Sequence, residues 1–151
     1  MKIVKVIQWD MGHRVMNHRS ICKGLHGHRY KAEICLNGDV VSDSGVSEEG
    51  MVVDFSDIKK ISHLEVLDKL DHAFMVWDMD LELIEFMESS DDHKIVAVPF
   101  TPTAENVARY IFEILNDKFE DVYGTGLELC SVKLWETPTS YAIYSKMDTK
   151  K

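Results

Sequence analysis

Apolar and polar residues alternate with a period of two near both ends of the chain, which is the pattern of half-buried β-strands. β-Branched residues are frequent in these segments, and Asn37-Gly38-Asp39 marks the end of the second one. The pattern predicts strands over residues 2–9, 29–36, 51–53, 94–100, 127–135 and 141–145. The strand at 51–53 is expected to complete a hairpin with the strand before it.

The middle of the chain has a helical period instead. After Phe55, apolar residues recur at three-residue steps, and Ser56 or Asp57 is placed to cap the helix that this predicts. The repeating positions are Ile58, Ile61, Leu64, Leu67 and Leu70. A short helix is expected over residues 80–90 and a long one from Ala104. The residues of the long helix expected to face the core are Val107, Ala108, Ile111, Phe112, Leu115 and Phe119. This order predicts an α+β domain in which helices back an antiparallel sheet.

Composition narrows the class of protein. Hydrophobic residues make up 45% of the 151 residues and charged residues 28%, so residues 1–151 are expected to form a single folded domain. Every apolar run is shorter than the ~18 residues of a membrane span, and the first ten residues lack the apolar core of a signal peptide. Cys22, Cys35 and Cys130 are an odd number without a short-range framework, which favours free thiols and a cytoplasmic location.

The charge is unevenly distributed. The formal net charge is −9, which disfavours nucleic-acid binding, since that depends on Lys and Arg neutralising phosphates. Residues 1–35 nevertheless carry seven basic and two acidic side chains. This basic segment could attract a small phosphorylated anion, or it could be a basic strand pair neutralised by acidic helices. Within it, Arg14, Arg19, Lys23 and Arg29 are the candidates for binding a phosphate group.

Four of the seven histidines lie between residues 13 and 28. On a helix, His26 and His28 would point about 200° apart, but on a strand they face the same side, roughly 6.6 Å apart at Cα. Only the strand allows both to bind one ion. Two such histidines with a third from a neighbouring strand match a catalytic zinc site with a fourth position open, although iron, nickel or copper would also fit. His13, at the end of the first strand, and His18, expected in a loop, compete for the third position. A solvent-exposed His pair is the alternative.

Three other groups have both a chemical and a structural interpretation. Cys22 could be a fourth ligand in a closed structural site, an inert buried thiol, or a thiolate nucleophile or base. Asp71 and His72 could only end the helix, or they could form a general acid/base relay. Glu136 could be solvated, or it could accept paired N–H donors from a guanidine-like edge such as that of a pterin.

Six short motifs together resemble one enzyme family. They are Gly12-His13-Arg14, Cys22-x-x-x-His26-Gly27-His28, Gly50-Met51-Val52-Val53-Asp54-Phe55, Leu70-Asp71-His72, Pro102-Thr103-Ala104-Glu105-Asn106 and Trp135-Glu136-Thr137. In this order and spacing the chain resembles the 6-pyruvoyltetrahydropterin and 6-carboxytetrahydropterin synthases of the tunnelling fold. The resemblance implies an antiparallel four-stranded sheet backed by two main helices, which closes a barrel on oligomerisation.

The same resemblance implies roles for individual residues. His13, His26 and His28 would bind Zn²⁺, and Cys22, Asp71 and His72 would form the catalytic group. Glu136 would anchor the pterin with help from Thr103 and Glu105. Family members act on dihydroneopterin triphosphate as trimer-based hexamers with active sites between subunits, so the implied partners are a small pterin triphosphate and further copies of the chain, without nucleic acid or membrane.

The spacing of Cys22 distinguishes two products within the family. Only three residues separate Cys22 from His26, as in the bacterial carboxy enzymes of queuosine (7-deazaguanine) biosynthesis, whereas the animal pyruvoyl enzymes place their cysteine further ahead. The resemblance therefore favours a zinc-dependent lyase that makes 6-carboxy-5,6,7,8-tetrahydropterin and releases acetaldehyde and triphosphate. The alternatives are the pyruvoyl synthase of tetrahydrobiopterin biosynthesis and a structural zinc module without catalysis. One departure is that residues 75–98 are longer and more acidic than the loop typical of the bacterial enzymes.

Overall fold

The computed structural model describes residues 1–148, which build a mixed β-sheet with helices packed on it. The strands are β1 (Lys2–His13), β2 (His26–Gly38), β3 (Phe74–Trp77), β4 (Ile95–Val98), β5 (Leu127–Thr137) and β6 (Ser140–Ser145). The helices are α1 (Phe55–Ser62), α2 (Asp68–Leu70), α3 (Leu81–Glu88) and α4 (Ala104–Tyr123). A π-helical segment, His63–Leu67, joins α1 to α2, and 3₁₀ turns occur at Ile21–Lys23 and Gly124–Gly126. The strand order is β4-β3-β1-β2-β5-β6.

The α+β class is confirmed, but the sheet has six strands where four were expected. Strands β1, β2, β5 and β6 form an antiparallel set, as expected. Strands β3 and β4 extend it on the β1 side and run parallel to β1. With α3 between them, these two strands occupy most of the long acidic stretch at residues 75–98. The expected strand at 51–53 is wrong: Gly50 and Met51 exchange backbone hydrogen bonds with Val41 inside an irregular loop.

The first helix differs from the expectation at its cap and on its buried face. The N-cap is Asp54, whose carboxylate accepts a hydrogen bond from the Ser56 amide at 2.7 Å, and not Ser56 or Asp57. The π-helical segment then adds a residue to the turn. The buried positions consequently follow a four-residue step, namely Ile58, Ser62, Val66 and Leu70, while Leu64 is exposed.

The long helix α4 agrees with the expectation in its start and in all six core-facing residues, which are buried. Thr103 caps its N-terminus by accepting a hydrogen bond from the amide of Asn106. Helix α3 has a small apolar cluster of its own, in which Val76, Leu83 and Met87 are buried. In residues 1–148, none of the helices combines the length and the apolar character that crossing a bilayer requires.

Alternation along β1 and β2 gives the sheet two different faces. On β1, Ile7, Trp9, Met11 and His13 are buried on the side where the helices pack. The intervening positions face the other way, where Val4 and Val6 are about half exposed. We call this second face the outer face of the sheet. Helices α1 and α4 leave it uncovered, whereas α3 packs on it at β3 and β4 through Leu83 and Met87.

Candidate metal centre and active site

Three imidazoles converge where β1 ends and β2 begins. The antiparallel register pairs His13 directly with His26 and pairs Met11 with His28, so all three rings project from the helix-covered face. One ring nitrogen from each lies within 4.8 Å of the others. The ring centroid of His13 is 4.5 Å from that of His26 and 5.3 Å from that of His28. The structure thus joins the two strand ends that alternation predicted.

Hydrogen bonds from Nδ1 to backbone carbonyls leave the Nε2 lone pairs of His13 and His26 free to bind a cation. Nδ1 of His13 donates to the Pro102 carbonyl at 2.7 Å, and Nδ1 of His26 donates to the Gly24 carbonyl at 2.8 Å. A proton on Nδ1 places the lone pair on Nε2. Within residues 1–148, Nε2 of His13 is buried without a hydrogen-bond partner. Burial lowers the pKa of His13, which favours the neutral ring that a metal requires. The three residues fit one divalent ion.

A carboxylate reaches the same place from the end of β5. The register between β5 and β6 shifts between Trp135 and Thr137, so Glu136 lies at a β-bulge. Its carboxylate oxygen Oε1 is 3.7 Å from Nε2 of His13. The side chain of Trp135 lies on the outer face of the sheet, where its indole N–H donates a hydrogen bond to Glu33 at 2.8 Å. Glu136 therefore continues the inward positions of Val132 and Leu134 and faces the three histidines.

A cavity of about 730 Å³ connects the histidine cluster with the other expected pocket residues. Cys22, Thr103, Glu105 and Glu136 line it together with the cluster. Cys22 lies on the 3₁₀ turn Ile21–Lys23 and is partly exposed, but it does not belong to the group of atoms that converges on one point. His18 lies in the exposed loop, as expected, where it bonds Ser20. The cluster thus has an open side that faces a thiol, a carboxylate and a helix N-terminus.

The structure does not bring Asp71 and His72 to this cavity. His72 lines a second cavity with Asp10 and Arg29, whose side chains lie on the outer face, and with His28 of the cluster. Cys22 lines the first cavity, so His72 and Cys22 lie in different cavities. His72 is 79% exposed at its side chain and has a left-handed backbone with φ 57°, a conformation that is uncommon for residues other than glycine. In one chain the expected catalytic group is therefore split between two cavities.

The Asp71–His72 pair is nevertheless held in a defined geometry. Oδ1 of Asp71 lies 3.1 Å from both the Asp10 amide nitrogen and Nδ1 of His72. Burial acts to raise the pKa of the Asp71 carboxyl, but these two hydrogen bonds outweigh it and hold the pKa below its usual range. The ammonium of Lys94 donates to the carbonyls of Asp68 and Asp71 at 2.9 and 2.8 Å. The ionised carboxylate of Asp71 thus orients the exposed imidazole of His72, and Lys94 holds the end of α2 in place.

The four basic candidates for phosphate binding differ in their partners. Arg14 makes a bidentate pair with Asp80 at 2.6 and 2.5 Å, and Arg29 makes one with Asp10 at 3.0 and 2.8 Å. Arg19 and Lys23 are exposed on the loop that carries Cys22. Among the described residues, neither of them has an ion-pair partner. The two arginines thus have structural partners, while the loop cations are available to an anion.

Asp80 is expected to contribute measurably to stability. Its carboxylate is 3% exposed and joins the end of β1, directly after His13, to the start of α3. Charge-assisted hydrogen bonds contribute about 1.5–3 kcal/mol, so Asp80→Asn should lower the free energy of unfolding by about 2 kcal/mol in a urea titration. The control is Asp92→Asn, because that carboxylate is exposed and makes no ion pair within residues 1–148. Equal unfolding midpoints for the two variants would contradict this role.

Sequence reasoning missed the groups that position the site. Pro102 and Gly24 orient the histidines through their carbonyl oxygens, which every residue has, so no side-chain pattern marks them. Lys94 contacts Asp71, which is 23 positions away in the chain, and Asp80 contacts Arg14, which is 66 positions away. Only the acidic composition of the stretch at 75–98 hinted that it carries charges with partners elsewhere.

Comparisons with known proteins match nearly the whole chain. A family model described as 6-pyruvoyl tetrahydropterin synthase matches residues 2–147. The chain is 37% identical to the 6-carboxy-5,6,7,8-tetrahydropterin synthase of Haemophilus influenzae, over 96% of this chain and 99% of that protein. It is 30% identical to the enzyme of the same name from Aquifex aeolicus, over 96% and 98%. The fold is similar to the 6-pyruvoyl tetrahydropterin synthase of Caenorhabditis elegans, with a TM-score of 0.67 and 27% identity over 96% of this chain and 94% of that chain.

Proposed function

Because the chain belongs to the 6-pyruvoyl tetrahydropterin synthase family, we propose that it converts 7,8-dihydroneopterin triphosphate to 6-carboxy-5,6,7,8-tetrahydropterin. Acetaldehyde and triphosphate are the other products, and the reaction serves queuosine biosynthesis. The observation that carries the proposal is the single cavity in which three convergent histidines face Cys22 and Glu136. The names of the curated relatives and the three-residue spacing from Cys22 to His26 support the carboxy product over the pyruvoyl product.

His13, His26 and His28 are proposed to hold Zn²⁺. Three neutral imidazoles with an open side are the ligand set of a catalytic zinc, and the two carbonyl-bonded Nδ1 atoms support that use. When bound, such an ion supplies Lewis-acid activation of the hydroxyls on the substrate side chain. Cys22 stands apart from the convergent group, which supports an open catalytic site over a closed structural one.

Glu136 is proposed to anchor the pterin ring. Its carboxylate points into the cavity from the bulge in β5 and can accept two N–H donors from the 2-amino and ring positions. Thr103 and Glu105 line the same cavity at the start of α4, where they can bind the remaining polar edge of the ring. The substrate side chain would then extend toward the histidines and Cys22.

Proton transfer is proposed to need residues from more than one copy of the chain. Cys22 is the base that takes a proton from the side chain, and His72 of an adjacent copy, oriented by its own Asp71, moves a second one. The separation of Asp71 and His72 from Cys22 within one subunit supports this arrangement. So do the two edge strands of the sheet, β4 and β6, which could pair between copies to close a barrel. We propose a trimer-based hexamer.

The triphosphate is proposed to bind Arg19 and Lys23. They flank Cys22 on the loop, and within residues 1–148 they lack the carboxylate partners that Arg14 and Arg29 have. Arg19 and Lys23 can therefore bind the triphosphate without breaking an ion pair inside the protein.

Product analysis tests the proposed reaction. The purified protein loaded with zinc is incubated with 7,8-dihydroneopterin triphosphate, and the products are identified by mass spectrometry. Carboxytetrahydropterin together with acetaldehyde is the expected result. A pyruvoyl pterin would assign the chain to the other reaction of the family, and the absence of turnover would contradict an enzymatic role.

Lys94 is expected to support turnover by positioning His72. Loss of its two hydrogen bonds in Lys94→Met should loosen the end of α2 and displace the Asp71–His72 pair. A displacement of about 1 Å can cost roughly 10²-fold in rate, so kcat should fall by up to about that factor while KM and zinc content stay unchanged. Lys94→Arg keeps a cation there and should recover part of the rate. An unchanged kcat in Lys94→Met would contradict the positioning role.

A further inference from the structure

A second irregularity in the sheet lies far from the metal centre and involves two cysteines. In the pairing of β2 with β5, Cys35 is opposite Ser131 while Leu36 is opposite Leu129. Cys130 is therefore an extra residue in β5, which makes this position a β-bulge. The bulge places Cys130 beside Cys35 on the neighbouring strand.

The bulge also decides which way the thiol of Cys130 points. Leu129 and Val132 are buried, whereas Cys130 and Ser131 between them are both partly exposed. Two consecutive residues thus face away from the helices. Cys35 faces the same way, because its neighbours Ile34 and Leu36 are fully buried. The two cysteines consequently share the outer face of the sheet.

The two cysteines lie on neighbouring strands beside a cavity that a small reagent can enter. Burial, followed by the proximity of Cys35 and a hydrogen bond shared with it, raises the pKa of the Cys130 thiol. Cys130 also lines a cavity of about 590 Å³ with Lys2, Glu128 and Lys146. Cys22 differs from this pair, since it lies on the loop at the metal centre with neither of the other cysteines beside it.

We propose that Cys35 and Cys130 form a dithiol site for small disulfides, which oxidise the pair to an intramolecular disulfide. One thiolate attacks a sulfur of the small disulfide, forms a mixed disulfide and releases one small thiol. The second thiolate attacks the protein-bound sulfur and releases the second small thiol. Two electrons and two protons leave the cysteine pair, and the small disulfide is reduced to two thiols. Cys35 and Cys130 lie on neighbouring strands and on the same face of the sheet at this bulge, which keeps the second thiol beside the mixed disulfide.

The site is independent of the proposed enzyme reaction. Cys35 lies seven residues after His28 on β2, which corresponds to about 23 Å along the strand at ~3.3 Å per residue. The zinc content and the turnover of Cys35→Ser should therefore equal those of the wild-type chain. Failure of the enzyme proposal would leave the dithiol test unaffected.

Peptide mapping after oxidation tests the proposal. The full chain is incubated with oxidised glutathione, the remaining thiols are alkylated, and the digest is examined by mass spectrometry without reduction. The expected product is a peptide pair linked through Cys35 and Cys130, with the loss of two hydrogen atoms, while Cys22 carries glutathione or the alkyl group. Cys35→Ser and Cys130→Ser should each retain a glutathione on the remaining cysteine, because the second attack has no thiol to use.

A second experiment uses only the wild-type chain and therefore does not depend on the folding of a serine variant. Phenylarsine oxide binds two neighbouring thiols through one arsenic atom, so the wild-type chain should bind one equivalent that blocks both Cys35 and Cys130. Separate glutathione groups on both cysteines, a disulfide between two chains, or no reaction at this pair with either reagent would each overturn the proposal.

Discussion

His26→Ala should abolish bound zinc and turnover together. The change leaves two histidines in a site whose coordination depends on three convergent rings. Removing even an outer partner of a metal ligand typically costs about 10–100-fold in affinity, and removing a ligand should cost more. We expect zinc content well below one equivalent per chain by elemental analysis, and no product above background. His26 suits this test better than His13, which is 1% exposed and whose truncation would also disturb the core.

His18→Ala is the matched control for this experiment. His18 belongs to the same histidine-rich segment and lines the same cavity, but its imidazole bonds Ser20 in an exposed loop. This variant should retain one zinc and most of its turnover. Stoichiometric zinc in His26→Ala would overturn the ligand assignment, and loss of zinc in His18→Ala would show that the loop rearranges to bind the ion.

Alternation predicted the two strands that carry the histidines but made both too short, since the predicted ranges 2–9 and 29–36 stop before His13 and start after His28 while the observed strands include them. It placed His26 and His28 on one side of β2 and His13 at the end of the buried stripe of β1, and the observed register joins these ends. The start and the core face of α4 could likewise be predicted, because a capping threonine and a regular four-turn apolar stripe agree there. Local patterns succeeded where neighbouring residues alone determine the conformation.

The failures occurred where distant residues determine the structure. Leu64 follows the three-residue pattern but is exposed, because the π-helical segment rotates the end of that helix. Strand β3 has only four residues, and its pairing partners are β1 and β4, so nothing in its own short apolar run distinguishes it from a loop. The hairpin strand at 51–53 was predicted from turn residues whose backbone bonds instead close an irregular loop.

The candidate site was only partly accessible to sequence reasoning for the same reason. Spacing identified the histidines, and the step from Val132 and Leu134 places Glu136 on the inner face of β5, but its approach to His13 depends on the order of the strands, which alternation does not predict. The separation of His72 from Cys22 depends on which cavity each loop reaches. Residues to which the family resemblance gives one catalytic role therefore line different cavities of one chain.

Cys22→Ala should remove most of the turnover but leave the metal and the fold intact. Cys22 lines the cavity of the three histidines without joining their convergent group, so its thiol is placed to act on a substrate and not to bind the ion. A positioned general base typically supplies about 10²–10⁴-fold, and we expect kcat to fall within that range. Zinc content and the urea unfolding midpoint should equal those of the unmodified protein.

Measuring zinc, alkylation and rate together separates the three roles that Cys22 could have. A ligand would resist alkylation in the zinc-loaded protein, and its removal would lower zinc content. An inert thiol would leave the rate unchanged, as expected for Cys35→Ala, the control variant on the outer face. A catalytic thiol, acting as the proposed base or as a nucleophile, is partly exposed, reacts with iodoacetamide while zinc is bound, and slows product formation when it is removed. Full activity in Cys22→Ala would remove this residue from the mechanism and leave His72 as the remaining candidate for proton transfer.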